Sequence, residues 1–131
     1  MPKFETKIVE EIKAKEIVEE LYIDGVGQLE TFENQLSGTT YKSELDDLIV
    51  FIEHFANGGT PGKKVKYLKN PIAGGTEFEF ISKHIRLYAI QRPGKKILLF
   101  GGTKKAADSS DNIKAFRLIK EKYIDFLTIK K

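Results

Sequence analysis

The stretch "TEFEFISKHIRLYAIQRPGKKILLF" (residues 76–100) decides the fold. Phenylalanine alternates with Glu77 and Glu79 in "TEFEFIS", and carboxylates on one strand face usually point to solvent. Apolar residues alternate with Arg86 and Tyr88 in "IRLYAIQ", "RPG" is typical of a turn, and "KKILLF" is a continuous apolar run typical of a central strand. The stretch therefore predicts consecutive antiparallel strands joined by tight turns.

Weaker signals flank these strands. "VKYLK" (65–69) predicts one more short strand. Upstream, "EIVEELYID" favours an edge strand over residues 17–23, whereas the spacing of Ile8, Val9 and Ile12 also fits a helix. Residues 1–15 are therefore an N-terminal extension of uncertain structure.

Three segments have the apolar spacing of helices. The first ends at Gly38 and the second is capped by Ser43, and together they predict a helical hairpin. A third helix follows Asp111, a candidate cap. The apolar positions are Leu29, Phe32 and Leu36 in the first helix, Leu45, Leu48, Ile49, Ile52 and Phe55 in the second, and Ile113, Phe116, Ile119, Tyr123 and Leu127 in the third.

These elements predict a single α+β domain over residues 1–131. In this domain a helical hairpin and a C-terminal helix pack on one face of a small antiparallel sheet. A chain of 131 residues is long enough to bury a core of its own.

The composition excludes several kinds of site. There is no cysteine, so disulfides and thiolate metal sites are excluded, and two histidines are too few for a histidine-based metal site. We therefore expect no metal and no cofactor. No apolar run approaches the length of a membrane span, and "MPKFETKIVE" lacks the apolar run of a signal peptide, so we expect a cytoplasmic protein with no membrane partner.

The net charge of +3 conceals an uneven distribution. Residues 1–60 hold 5 Lys and Arg against 13 Asp and Glu, whereas residues 61–131 hold 17 against 6. The sign changes at the loop "GGTPGKK", which contains Lys63 and Lys64. This asymmetry predicts a polyanionic partner for the basic half. The alternative is an acidic helical layer that packs over a basic sheet.

The polar stretch "FGGTKKAADSSD" (100–111) does not fit a nucleotide-binding loop. It lacks the Gly-Lys-Ser/Thr of a Walker loop, and its glycines do not form G-x-G-x-x-G. We interpret these glycines as the exit of a strand, where side chains would crowd a cleft and where their backbone can closely approach a polyanionic partner such as RNA. "AADSSD" is then a connector to the last helix.

Basic residues recur on the adjacent predicted strands. In an antiparallel sheet they can converge on an open face opposite the helices. Several cations with one aromatic ring suit a phosphodiester, with the phosphate bound by Arg or Lys and a base stacked on Tyr. For Lys95 and Lys96 we favour an ordinary solvated strand face. The candidate residues are Lys83, His84, Arg86, Tyr88, Arg92, Lys104 and Lys105.

The order of several short motifs resembles the RelE/HigB/ParE superfamily of toxin–antitoxin toxins, particularly its phage-derived HigB-like branch. These motifs are "YLKN", "FEF", "IRLYAI", "ILLFGGTKK" and "FRLIKEKY". The resemblance covers about residues 65–125, and the predicted upstream strand and helical hairpin fall where the first strand and helices of the family would be. It implies a compact sheet with helices on one face and a cleft on the other.

The resemblance also implies an activity. Active relatives bind in the ribosomal decoding site and cut messenger RNA: the ribose 2′-hydroxyl attacks its own phosphate, which requires cations, a base and an acid. By position, Arg86 would hold the scissile phosphate, Lys104 and Lys105 would bind the backbone or stabilise charge, and Glu79 would be a base or a structural group. The RNA-binding residues would be Lys63, Lys64, Lys83, His84, Tyr88 and Arg92, with Tyr88 and His84 as stacking or proton-transfer groups. The implied partners are the ribosome, mRNA and a cognate antitoxin, expected to be a helix-turn-helix protein.

Two positions depart from the family pattern. Ile81 stands where many members have an arginine two residues after the strand glutamate, and the C-terminal "DFLTIKK" contains no histidine or tyrosine. These departures leave open a nuclease that works through lysines. They also leave open a non-enzymatic protein, either a ParE-like inhibitor of DNA gyrase or an RNA-binding protein without cleavage.

Overall fold

The computed structural model describes residues 2–69, 75–103 and 110–130, and within them the fold is α+β. The strands are β1 (Phe4–Ile8), β2 (Ile17–Ile23), β3 (Val26–Gly27), β4 (Val65–Tyr67), β5 (Glu77–Ile81), β6 (Ile85–Arg92) and β7 (Lys95–Thr103). The helices are α1 (Gln28–Leu36), α2 (Tyr41–Ala56) and α3 (Ser110–Lys130). In the sheet the order is β1-β2-β7-β6-β5-β4, and β3 pairs with β2.

The strands predicted from residues 76–100 are confirmed. β5, β6 and β7 pair antiparallel through two tight turns, and Gly94 in the second turn has a φ of +74°, which favours glycine. The edge strand predicted at 17–23 is also confirmed as β2, and β1 shows that residues 4–8 of the N-terminal extension belong to the sheet.

The predicted helix boundaries are partly wrong. α2 begins at Tyr41, so Ser43 lies inside the helix and does not cap it. The predicted stop of the first helix is confirmed: α1 ends at Leu36 with Ser37 as its C-cap, and Gly38 follows with a φ of +80°. Asp111 lies in the first turn of α3.

The sheet is mixed, so the prediction of a purely antiparallel sheet is wrong. β2 runs parallel to β7, with Ile17 beside Lys95 and Glu20 beside Leu98. Tight turns force antiparallel pairing only between consecutive strands. Two helices and several strands separate β2 from β7, and a connection of that length can return the chain in the same direction.

The helices cover both faces of the sheet, so the prediction that they pack on one face is also wrong. α1 and α2 pack with Leu87 and Leu98 in one apolar cluster, whereas α3 packs with Tyr88 and Leu99 in a second. The central strands β6 and β7 carry apolar residues toward both clusters, and a strand that is apolar on both sides requires cover on both. The sheet face that we expected to be open is covered by α3.

Glycine allows α1 to approach the sheet closely. A Cβ atom at Gly101 in β7 would overlap the ring of Phe32 in α1. The interpretation of this glycine as a point where the backbone approaches RNA is therefore not supported, because the Phe32 ring of α1 occupies that space.

Buried charges hold α3 against the other face. The carboxylate of Glu77 is fully buried and accepts hydrogen bonds from Arg117 Nε (3.0 Å) and Nη2 (2.7 Å) and from Lys120 Nζ (3.1 Å). Lys120 is also fully buried, and its Nζ donates to the carbonyl oxygen of Gly75 (2.9 Å). Burial lowers the pKa of Lys120 below its ordinary value, against the opposing effect of the Glu77 carboxylate. The expectation that Glu77 faces solvent is wrong because α3 supplies its cations.

We expect the variant Glu77→Ala to lower the free energy of unfolding by about 3–5 kcal/mol, because it leaves Lys120 buried without its carboxylate partner. Urea denaturation measures this change. Glu121→Ala, which removes an exposed carboxylate from the same helix, should stay within about 0.5 kcal/mol of the wild type. Glu77→Leu combined with Lys120→Met should be more stable than Glu77→Ala. A loss below about 1 kcal/mol for Glu77→Ala would show that the cluster does not hold α3 in place.

Candidate functional site

Several of the predicted RNA-binding residues meet at one end of the sheet, which we call the basic end and define by Lys63, Lys64, Lys83 and His84. The backbone N–H of Ile81 donates to the carbonyl oxygen of Lys64 (2.7 Å), which brings the loop before β4 against the end of β5. Lys83 and His84 form the turn that follows. The three lysines are exposed and His84 is half-buried.

The last residue of β7 lies at the same end. Thr103 pairs with Ile85, the first residue of β6. The strand end that precedes Lys104 and Lys105 is therefore next to the turn that carries Lys83 and His84. Lys104 and Lys105 themselves lie outside the described residues.

A shallow cavity of about 310 Å³ opens at the basic end between α2 and the β5–β6 turn. Two of its residues are exposed lysines and one is an exposed aspartate, so a bound anion would meet cations on two sides. The lining residues are Asp47, Leu48, Lys64, Ile81, Ser82 and Lys83.

Arg86 lies directly behind the turn and is buried, with 6% of its surface exposed. Its Nη1 donates to the carbonyl oxygens of Ile85 (2.8 Å) and Ser82. Its Nε is buried and has no hydrogen-bond partner among the described residues. Nη1 is thus engaged with the backbone of its own turn and the side chain is buried, so the predicted role in binding the scissile phosphate receives no support from this placement.

His84 is held in one orientation by α2. Its Nδ1 lies 2.6 Å from Glu44 Oε2, and its ring stacks on Tyr41 with the ring centroids 4.7 Å apart and an angle of 18° between the planes. Glu44 also accepts hydrogen bonds from the His84 backbone N–H (2.9 Å) and the Ser82 hydroxyl (2.8 Å). Burial acts to raise the pKa of Glu44, but these hydrogen bonds outweigh it, so this pKa lies below its ordinary value.

Glu79 and Tyr88 are brought together, but far from solvent. The Tyr88 hydroxyl donates to Glu79 Oε2 (2.6 Å), and the Tyr88 ring stacks on Phe116 of α3 at a centroid distance of 5.2 Å. Tyr88 is fully buried and Glu79 nearly so. An RNA base cannot reach Tyr88 without displacement of α3, so the predicted stacking role is not supported.

Arg92 lies at the opposite end of β6 from the basic end, where it pairs with Lys95. Lys95 and Lys96 form ion pairs with Glu19 (2.8 Å) and Glu16 of the acidic half. Lys96 is buried, so the expectation that it lies on a solvated strand face is wrong. The acidic partners lie in β2 and just before it, and not in a helical layer. At the basic end the lysines are exposed, and Lys64 Nζ lies over the ring of Phe51, 5.8 Å from its centroid.

The sequence analysis missed Glu44 and Tyr41. Both lie about 40 residues before His84 in the sequence, on α2. This helix was predicted only from the spacing of its apolar residues. No short motif connects them to the turn, so only the packing of α2 against β5 and β6 shows the contact.

No group of three or more His, Cys, Asp or Glu residues in the described part of the chain could hold a metal ion. Among the described helices, none has the length and apolar character required to cross a membrane.

No family model, curated protein or solved structure matches this chain. The family resemblance drawn from the sequence motifs therefore stays a hypothesis, and the geometry of the basic end carries the functional argument.

We expect Glu44→Gln to lower the free energy of unfolding near neutral pH by about 1–3 kcal/mol, because hydrogen bonds to a charged acceptor are lost. Since the pKa of Glu44 is lowered in the folded protein, its carboxylate stabilises the fold above the ordinary pKa of 4.5, and this stabilisation is lost as the pH falls through the lower folded value. The difference between wild type and variant should therefore shrink below about pH 4.5.

Thermal or urea denaturation across this pH range measures the effect. Asp47→Asn is the matched control, because it makes the same acid-to-amide change at an exposed position of α2. A Glu44→Gln variant whose stability follows the wild type at every pH would contradict the proposed hydrogen-bonded carboxylate.

Proposed function

We propose that this protein binds RNA through the basic end and acts as the toxin of a toxin–antitoxin system, a ribosome-dependent endoribonuclease that cuts mRNA. The observation that carries the proposal is a cavity lined by Lys64 and Lys83, beside the turn that carries His84 and next to the end of β7. Lysine contacts to phosphate supply most of the sequence-independent affinity for a nucleic acid.

The fold is consistent with this proposal in its order of elements. Two helices, a run of four strands and a C-terminal helix follow one another as the RelE/HigB/ParE resemblance implies, although three strands, and not one, precede the first helix. The position of α3 differs, because it covers the sheet face on which the resemblance implies a cleft. We therefore place the RNA at the end of the sheet, beside the β5–β6 turn.

The proposed chemistry is an internal transesterification. The ribose 2′-oxygen loses its proton and forms a bond to the neighbouring phosphorus, and the bond from phosphorus to the 5′-oxygen breaks. The products are a cyclic phosphate and a 5′-hydroxyl end, so the step needs no metal and no cofactor. Lys64 and Lys83 are the described cations best exposed to stabilise the charge that develops on the phosphate.

The proposed partners follow from this activity. They are the ribosome with its mRNA and a cognate helix-turn-helix antitoxin that neutralises the toxin, all in the cytoplasm. Part of the acidic half of the chain is engaged internally: Glu16 pairs with Lys96, and Glu44 accepts hydrogen bonds from Ser82 and His84.

A second candidate is an RNA-binding protein of the same fold without cleavage. The observation that favours it is the burial of Glu79 and Tyr88 beneath α3, together with the engagement of Arg86 by carbonyl groups. In this arrangement Glu79, Tyr88 and Arg86, which the resemblance places near the reacting phosphate, are not available to contact RNA.

Removal of two lysines from the basic end should weaken RNA binding. For Lys64→Ala combined with Lys83→Ala, we expect the affinity for a labelled single-stranded RNA to fall about tenfold at low salt. The slope of log K against log salt concentration should decrease by about 1–2, because two phosphate contacts are lost. Fluorescence anisotropy measures both quantities.

The matched control removes the same charge elsewhere. Lys13 and Lys15 are exposed and lie beside Glu53 and Asn57, near the C-terminal end of α2 and away from the basic end. Lys13→Ala combined with Lys15→Ala should leave the salt slope almost unchanged. Equal losses in the two double variants would show that RNA binding depends on net charge and not on this surface.

Expression of the full chain in a bacterial host should arrest growth, and new transcript 5′ ends should appear within coding regions. Lys64→Ala combined with Lys83→Ala should relieve the arrest, because the RNA would be held less tightly. Sequencing of transcript ends measures cleavage. Arrest without transcript cuts would favour the binding protein, arrest with a DNA-damage response would favour gyrase inhibition, and unhindered growth would contradict the toxin proposal.

A further inference from the structure

The imidazole of His84 is fixed on one side and accessible on the other. Nδ1 lies 2.6 Å from Glu44 Oε2, the backbone N–H donates to Oε1 of the same carboxylate, and Tyr41 covers one ring face. The side chain nevertheless keeps 40% of its surface exposed, and Nε2 has no hydrogen-bond partner among the described residues. The ring is therefore oriented with one nitrogen directed to ligands.

The charge of Glu44 determines which nitrogen carries the proton. A carboxylate can only accept hydrogen bonds, so Nδ1 must be the donor and the neutral ring keeps its lone pair on Nε2. The hydrogen bonds from Ser82 and His84 that lower the pKa of Glu44 keep it ionised near neutral pH. A neutral imidazole with a free Nε2 is a proton acceptor.

Further charged groups lie near the turn that carries His84. α2 contributes Glu44 and Asp47, the loop before β4 contributes Lys64, and the turn itself contributes Lys83. A phosphate bound by the two lysines would lie beside the turn that presents His84. The other histidine, His54, is exposed on α2 and has no carboxylate partner among the described contacts.

We propose that His84 is the general base that takes the proton from the ribose 2′-hydroxyl, and that Glu44 is the residue that positions it. This inference rests on the endoribonuclease function proposed above. In the reaction, Nε2 accepts the 2′ proton as the oxygen–phosphorus bond forms, the bond to the 5′-oxygen breaks, and that oxygen takes a proton from solvent. The imidazolium then returns its proton to solvent, so atoms and charge balance over the cycle.

The test uses the purified full chain and ribosomes programmed with an end-labelled mRNA. His84→Ala should slow cleavage by about 100-fold or more, without a matching loss of affinity for RNA, and added imidazole should restore part of the rate. His54→Ala should cleave at the wild-type rate. Cleavage by His84→Ala at the wild-type rate, or a loss that imidazole does not restore in a folded variant, would overturn the inference.

Glu44→Gln separates a positioning role from a purely structural one. We expect the cleavage rate at saturating mRNA to fall about tenfold or more with little change in affinity for RNA, because the ring loses the carboxylate that orients it. A rate that falls only in proportion to the fraction of unfolded protein would contradict the positioning role.

An independent measurement addresses the tautomer without cleavage. In ¹⁵N-labelled protein, the neutral form of His84 should carry its proton on Nδ1, and Glu44→Gln should reduce this preference. A neutral ring protonated on Nε2 would overturn the inference. Wild-type protein that neither binds nor cuts the programmed mRNA would instead refute the proposed function, and the inference with it.

Discussion

The attachment of α3 to the sheet is the constraint on which the rest of the structure depends. Two cations of α3, Arg117 and Lys120, converge on the fully buried carboxylate of Glu77. A buried charge is tolerated only when it is paired and hydrogen-bonded, so this cluster fixes where α3 lies. Because α3 lies there, Tyr88 and Glu79 become core residues, and the accessible basic surface moves from the sheet face to the end of the sheet.

The fold was predictable wherever the signal was local. Alternation in "TEFEFIS" and "IRLYAIQ" and the turn at "RPG" predicted β5, β6 and β7, because side chains alternate between the two faces of a strand and glycine permits the turn. The same alternation led to a wrong prediction of which face of β5 is exposed to solvent. Glutamates that alternate with phenylalanines usually indicate a strand face in contact with solvent. Glu77 is buried instead, because it pairs with cations that lie about 40 residues away on α3. The parallel pairing of β2 with β7 is equally non-local.

The residues of the candidate site were likewise predictable only where their signal in the sequence is local. Lysines near predicted turns could be recognised from the sequence, and Lys64 and Lys83 do meet at the basic end. The contact of Glu44 with His84 could not, because it joins a helix to a turn across 40 residues and follows no spacing rule. Glu79 and Tyr88 show the opposite error: their residue types suit RNA chemistry, but their hydrogen bond is made inside the core.

Arg86 illustrates why the position of a cation matters more than its charge. Its guanidinium binds the carbonyl oxygens of Ser82 and Ile85, the two residues that bracket the turn carrying Lys83 and His84. These bonds tie together the backbone of the turn whose His84 contacts Glu44 and Tyr41 of α2. A substitution at Arg86 would therefore disturb the turn, and it would lower the proposed activity even if the guanidinium never touched a phosphate. Loss of function in such a variant would therefore show only that Arg86 stabilises the turn. Variants of the exposed lysines and of His84 are the ones that test contact with RNA.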